Sequence, residues 1–500
     1  MNGAGQSLRA TTLKGLSRTG AAHIGSSAVN LLSLALAARY LDARAFGTEA
    51  AASMLVGIWA IASDLGLGRA LVQRREITAA HVTSALWGSA LFGGVSVLLL
   101  WQTAGLWASF LTPGQSPVEM TSDGVADVLP WMSIGLLFAS LGAIPRAMLE
   151  RRFAFGRLAA IDFVAALAGG ATLVVMSAGG YGVWSLVGWF LVRTGILAAG
   201  PWFFHPILPR LPSWKGFIEL LRIGGPWVGS QLVGYGQQNL DYLFILRFLG
   251  VDALGYYSLA YRLVALAQIR LVPVILRVTF PAFSAIQDDP ERLRRAFLTT
   301  IRFVALLVFP MMAGFGLLAE PGIDLLYGPD FATSAAVLVC LAPGGAARGV
   351  SAVTGTIFLS LGRTVTALIW SLGSGVVTAL AVWVGVGGGV TGVAVMMSVS
   401  GLVLTVASLV LAGSMIQLRL RESLKALGPA GAATVGMMGM VGLLLAAWHT
   451  GGWVTPASGV VAAATVVGIL SFGLALKAFS PGVWADARGF LRTMKGEGRM

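Results

Sequence analysis

Charge is scarce in this sequence. Asp, Glu, Lys and Arg make up 11% of its 500 residues, where a soluble globular chain carries about 25%. That is too little to clothe the three or four water-soluble domains that this length would otherwise hold. Cysteine is rarer still: the single Cys340 excludes an internal disulfide and any multi-cysteine metal site, and its apolar surroundings read as those of a small packed hydrophobe. The four histidines, His23, His81, His205 and His449, are scattered and match no metal-ligand spacing. Long polar stretches are missing too. The longest connections expected on the outer side, 105–125 and 319–332, are too short to fold as an enzyme domain.

What is present is apolar. Hydrophobic residues make up 56% of the chain and the mean hydropathy is +0.82, in runs of about 20 residues, the length that crosses a bilayer. The expected class is an all-α polytopic membrane protein with 14 spans: 17–38, 47–69, 82–104, 126–145, 158–178, 181–204, 223–246, 255–277, 297–318, 333–358, 364–384, 390–412, 428–448 and 457–477. The first is read as an uncleaved transmembrane helix rather than a cleaved signal, because its apolar stretch continues to Ala38 before Arg39-Tyr40.

A net charge of +13 would suggest nucleic acid in a soluble protein. With both termini cytoplasmic, however, 27 of the 34 Lys and Arg fall on the cytoplasmic side. Three (Arg39, Arg44 and Arg247) fall outside, and Arg193, Arg262, Arg270 and Arg348 lie within spans. Topology and anionic lipid headgroups therefore account for the charge, and no nucleic-acid partner is needed.

The loop Arg39-Tyr40-Leu41-Asp42-Ala43-Arg44-Ala45-Phe46-Gly47 recurs in outline as Arg247-Phe248-Leu249-Gly250-Val251-Asp252-Ala253-Leu254-Gly255, an offset of 208. Six spans separate the copies, so the repeat is parallel, with its axis along the membrane normal. The expected organisation is an N-lobe (1–204), a basic, Pro-rich linker (205–222), a C-lobe (223–412) and an appended helix pair with a tail (413–500). The lobes form two pseudo-symmetric six-helix bundles. In the first span His23, Ser26, Asn30 and Ser33 share one helix face, and the offset leads to Gln231, Gly234, Gln238 and Asp241 in the seventh. Such stripes turn either toward a water-filled cavity shared by the lobes, with Asn30 and Gln238 lining it, or onto neighbouring helices.

Charged residues inside spans are costly and face a bundle interior or a polar path. Arginine outnumbers acid in this inner set, and guanidinium stays charged and grips phosphate oxygens two at a time. Arg193, Arg262, Arg270 and Arg348 therefore suit a diphosphate. Tyr257 and Tyr261, one helical turn apart, supply aromatic faces for a sugar chain. For each of these, the alternative is an internal ion pair or snorkelling to the headgroups. Asp64 and Asp241 offer a site for a coupling proton or cation such as H+ or Na+, and the alternative for Asp64 is to cap or brace the Ser63-Asp64-Leu65-Gly66 segment. The Asp288-Asp289 pair before Pro290 reads as a solvated helix start.

The chain resembles Wzx-type oligosaccharide flippases of the MOP superfamily (multidrug, oligosaccharidyl-lipid and polysaccharide exporters), in the branch of lipopolysaccharide or colanic-acid-type exporters. The resemblance is carried by Tyr40–Gly47, the Ser63–Arg74 segment SDLGLGRALVQR, Pro145–Phe153, Gly182–Val187 and Leu254–Arg262. It implies alternating-access transport of polyprenyl-diphosphate-linked oligosaccharide across the bacterial inner membrane. Its implied partners are membrane lipids and a polysaccharide polymerase complex, with no cofactor and no enzymatic activity. It also places Arg262 where related lipid II flippases carry a cavity arginine. Their other cavity arginines lie in the first two helices, where this chain has no mid-membrane cation, and Arg193 is the available substitute. Competing readings are a cation-coupled multidrug exporter, a membrane polysaccharide polymerase or ligase, and a scaffold subunit of the assembly complex.

Overall fold

The structure, a computed structural model, describes residues 25–112, 124–208, 211–266, 268, 272–450 and 457–479. Among these residues the secondary structure is helical, with no strand. The helices are α1 (Gly25–Ala37), α2 (Ala43–Asp64), α3 (Leu67–Gln73), α4 (Ala79–Leu111), α5 (Val125–Arg151), α6 (Phe155–Ala178), α7 (Trp184–Phe204), α8 (Trp214–Gln238) and α9 (Leu240–Leu249). They continue with α10 (Val251–Leu266), α11 (Val272–Ala285), α12 (Pro290–Leu317), α13 (Ala319–Tyr327), α14 (Ala332–Ser360), α15 (Thr364–Val386), α16 (Gly389–Met415), α17 (Leu420–Thr450) and α18 (Ala457–Phe479).

Among the described residues, eleven helices are long and apolar enough to cross a membrane. They coincide with eleven of the fourteen expected spans. The first, seventh and eighth differ. Only α1 of the first is described, the seventh is divided between α8 and α9 at Asn239, and the eighth contains residues outside the described ones between α10 and α11. The second span also ends early. Leu65 and Gly66 are left-handed (φ 49° and 68°), which turns the chain out of α2 and into α3. Gly66 lies so close to the backbone of Gly224 in α8 that an added Cβ would sit 2.7 Å from its Cα, so the corner needs glycine for both its φ and its contact.

The chain forms two compact units, residues 1–255 and 256–500. In the first, α5 packs against α2, α4 and α7, while α8 lies on α2, α3 and α4. Leu220 of α8 shares a core with Leu67, Leu71, Leu86 and Ile144. In the second, α14 is the central helix, packed on α11, α12, α13 and α16, and α17 and α18 lie against α12 and α13 through Met437, Val441 and Ala464. Helices in lipid gain little from apolar burial against each other, so close contact of small residues does the work. Gly344 accordingly sits against Ser398, whose hydroxyl accepts the Gly344 N–H at 3.0 Å. By contrast, α15 exposes Leu368, Ile369, Leu372, Leu380 and Trp383, an apolar face of the kind that suits hydrocarbon.

Candidate functional site

The second unit brings Tyr257, Tyr261 and Arg348 together. Tyr257 is fully buried and stacks on Tyr261, one turn further along α10, with ring centroids 6.0 Å apart and planes 14° from parallel. Arg348 of α14 holds its guanidinium carbon 6.0 Å from the Tyr261 ring centroid, within range of a cation–π attraction. Arg348 reaches this place past Gly401 of α16, where a Cβ would meet its Cγ at 3.7 Å. Its Nε and Nη2 atoms are buried and make no hydrogen bond among the described residues. Arg262, half-buried on α10, acts electrostatically on Tyr327 of α13; burial pushes that hydroxyl up to about 12 against the pull of the guanidinium. Tyr327 was not singled out from sequence, because it lies in a loop-like segment outside the expected spans. Arg270 lies outside the described residues, as does His23.

In the first unit, consecutive glycines of α6 place two helices at one level. A Cβ on Gly169 would meet the Cβ of Arg193 at 3.1 Å, and one on Gly170 would meet the Cβ of Ser33 at 3.1 Å. Arg193 on α7 and the polar face of α1 thus flank the same turn of α6. Asn30, one turn before Ser33, has a buried Oδ1 without a hydrogen bond, as does Trp189 at Nε1. Ser33 itself packs onto α6, whereas Gln231 and Gln238 of α8 are exposed.

The acids occupy different surroundings. Asp241 is 1% exposed, two residues beyond the α8–α9 break, and accepts the Tyr242 N–H at 2.9 Å. Asp64 accepts the Gly66 N–H across the α2–α3 corner, while its Oδ1 is buried without a partner; the bracing geometry is therefore present. Asp162 pairs with Arg146 at 3.0 Å. Sequence reading passed over Glu49, which is 3% exposed in α2 and accepts the Ser53 hydroxyl at 2.7 Å. The available signal was its place inside the second expected span, beside Thr48 and one turn before Ser53. Asp289 caps α12 by accepting the Arg292 N–H at 3.0 Å, the helix start expected there. No group of three or more His, Cys, Asp and Glu suited to a metal occurs among the described residues.

Outside the spans, Glu219 at the start of α8 binds Arg74 at 2.6 Å and His81 at 3.2 Å, and hydrogen bonds from His81 and Arg74 hold its carboxyl below the usual range. His205 is lowered by burial and by the charge of Arg152.

The two copies of the repeated loop meet. α2 begins at Ala43 and α10 at Val251, positions 208 apart. A Cβ on Gly47 would strike the carbonyl of Val251, and one on Gly255 the carbonyl of Ala43. The contact is reciprocal, each glycine resting on the first residue of the other helix, as residues related by a local two-fold do.

Residues 36–336 match the sequence profile of the family described as polysaccharide biosynthesis protein. The chain is 26% identical over 363 residues, 71% of each chain, to the lipopolysaccharide biosynthesis protein WzxC of Escherichia coli strain K12. Its fold is similar to that of the lipid II flippase MurJ in an inward closed conformation, with a TM-score of 0.75 at 16% identity, covering 93% of this chain and 99% of that one. It is also similar to an inward-facing MATE family multidrug resistance transporter of the MOP superfamily, with a TM-score of 0.60 at 16% identity, covering 78% and 94%. With three fifths of its length inside the family profile, this multi-pass helical chain belongs to the polysaccharide biosynthesis protein family.

Proposed function

We propose that the protein is a transporter that moves polyprenyl-diphosphate-linked oligosaccharide from the cytoplasmic to the periplasmic leaflet of the bacterial inner membrane, by alternating access, for surface polysaccharide assembly. The observation that carries this reading is the arginine and tyrosine cluster of α10 and α14 in a chain of this family. A lipid-linked saccharide needs a cation for its diphosphate and aromatic faces for its sugars. A relative named for lipopolysaccharide biosynthesis and the fold of a lipid II flippase support the same substrate class.

In this reading the fourteen helices form two six-helix lobes and an appended pair, with both termini cytoplasmic. Arg193, Arg262, Arg270, Arg348, Asn30, Gln238, Tyr257 and Tyr261 serve the headgroup. Tyr257, being fully buried, acts by holding Tyr261. Asp241, beside a broken helix, and Asp64 take the coupling proton or cation, because interrupted membrane helices expose backbone and side-chain oxygens to ions. Glu49, buried like Asp241, joins them. A polysaccharide polymerase complex would receive the product, and the protein itself performs no bond chemistry.

The test is reconstitution into liposomes, following a lipid-linked oligosaccharide between leaflets. Wild type should move it, and Arg262→Ala and Arg193→Ala should slow it at least tenfold. Export of cationic drugs without any movement of the lipid would replace this reading with that of a multidrug exporter.

A further inference from the structure

We infer that the α5–α6 corner and the end of α7 form a site for an anionic phospholipid, its phosphate at Arg152 and Arg157 and its chains along α6. Residues 146–162 carry four arginines and two acids. Both acids go to one arginine, Glu150 at 3.6 Å and Asp162 at 3.0 Å from Arg146, and Arg151 donates to the carbonyls of Leu71 and Arg75. Arg152 and Arg157 remain, both exposed and neither in an ion pair among the described residues. They converge on the end of α7, where the Arg157 guanidinium carbon stands 5.3 Å from the Phe204 ring centroid and the charge of Arg152 acts on His205. Neither α7 nor 205–208 contains an acid.

The apolar part of the site is held open at a cost. α5 closes with the Phe153 N–H on the Glu150 carbonyl at 2.9 Å and the Ala154 N–H on the Leu149 carbonyl at 3.0 Å, a helix ending whose left-handed residue is usually glycine. Here it is Phe153, at φ 54°. A bulky side chain is strained in that region, and burial does not compensate, because Phe153 is 77% exposed. Phe155 stands edge-on to it with ring centroids 6.0 Å apart, and Phe203 at the end of α7 is 84% exposed. Arg157, Ala160, Val164, Leu167, Ala171 and Val175 then lie exposed along one face of α6. That stripe is about 27 Å long, in a helix apolar enough to cross a membrane. Arg157 thus marks the foot of an apolar stripe, where a phospholipid lying on it has its phosphate. A water-soluble anion would leave the rings and the stripe unmatched. Phosphatidylcholine carries its own cation, whereas an acidic headgroup leaves its charge for the two guanidinium groups. A lipid held here belongs to the membrane, whatever the protein transports.

The experiment uses the full-length protein purified in detergent, with bound lipids counted by native mass spectrometry and stability read as Tm. Wild type should take up its first phosphatidylglycerol at a concentration at least tenfold below that needed for phosphatidylcholine of the same chains. The double variant Arg152→Gln, Arg157→Gln should abolish that preference. Lys425→Gln, which removes an exposed cation of the second unit, should leave it unchanged. Phe153→Gly removes the ring and suits the left-handed backbone, so it should keep or raise the Tm while weakening phosphatidylglycerol binding at least threefold.

A preference that survives in the double variant would overturn the inference, and so would its equal loss in Lys425→Gln, the mark of a diffuse basic surface. A lower Tm for Phe153→Gly with unchanged lipid binding would make the ring structural and overturn the site as drawn. Two further results would replace the phospholipid as occupant. Displacement of phosphatidylglycerol by an equal concentration of farnesyl diphosphate would give the arginines to a diphosphate lipid. Binding of polyglutamate through the same arginines, without any preference among lipids, would give the surface to an acidic protein.

Discussion

Arg151 at the end of α5 shows how one residue can close another helix. Its guanidinium donates to the carbonyls of Leu71, Arg74 and Arg75, at 2.8, 2.5 and 2.7 Å, where α3 stops. Lysine cannot reach all three from one planar fork. Arg151→Lys should therefore recover only part of the loss seen in Arg151→Ala, which we expect to cost about 1.5–3 kcal/mol, read as thermal unfolding in detergent. Glu219 allows a test by pH. Its carboxyl is held below the ordinary range by His81 and Arg74, so the folded state binds fewer protons than the unfolded one as pH falls through that range. The stabilisation is complete above the unfolded pKa and disappears as pH falls through the folded one. Glu219→Gln should flatten the acid limb of a Tm against pH curve, and an unchanged limb would assign the acid sensitivity elsewhere. His205 has the same sign: its neutral form is favoured in the fold, so stability drops as pH falls below the ordinary histidine range.

Helix starts and helix breaks carry the next level of organisation. The reciprocal seating of Gly47 on Val251 and of Gly255 on Ala43 leaves no space for a methyl group. Gly47→Ala or Gly255→Ala should cost about 1–3 kcal/mol by overpacking. The double variant should cost less than the sum, because the first substitution already parts the two helix starts; strict additivity in thermal unfolding would mean that the contacts are independent. The 208-residue offset is readable from the sequence, but the meeting of its two copies is not, since a repeat in sequence says nothing about which surfaces of the copies touch. The breaks at Leu65-Gly66 and Asn239 were also missed. Hydropathy runs on through both, and only the approach of α8 to the α2–α3 corner makes a left-handed pair favourable there. Asn239 ends α8 by donating its side-chain N–H to the Tyr235 carbonyl at 2.8 Å, a local bond that competes with continuing the helix.

For the whole molecule, the charge distribution predicts an orientation that can be measured. In a Cys340→Ala background, Lys215→Cys should be shielded from a membrane-impermeant thiol reagent in intact cells, and Asp330→Cys should be modified; both positions are exposed. The reverse pattern would invert the topology. The class was legible because partition into a bilayer is nearly additive over residues, so counting along the chain suffices, and the same counting supplies the expected orientation. Composition and the length of the apolar runs therefore determined that this is a helical membrane protein, and the placement of its cations supplied the expectation of intramembrane arginines suited to an anion. Which of those arginines stacks on a tyrosine, which acids are buried beside a helix break, and which guanidinium edge is left unmet were decided by tertiary structure. These properties depend on the few ångströms between side chains of different helices, and the order of residues along one helix does not set those distances.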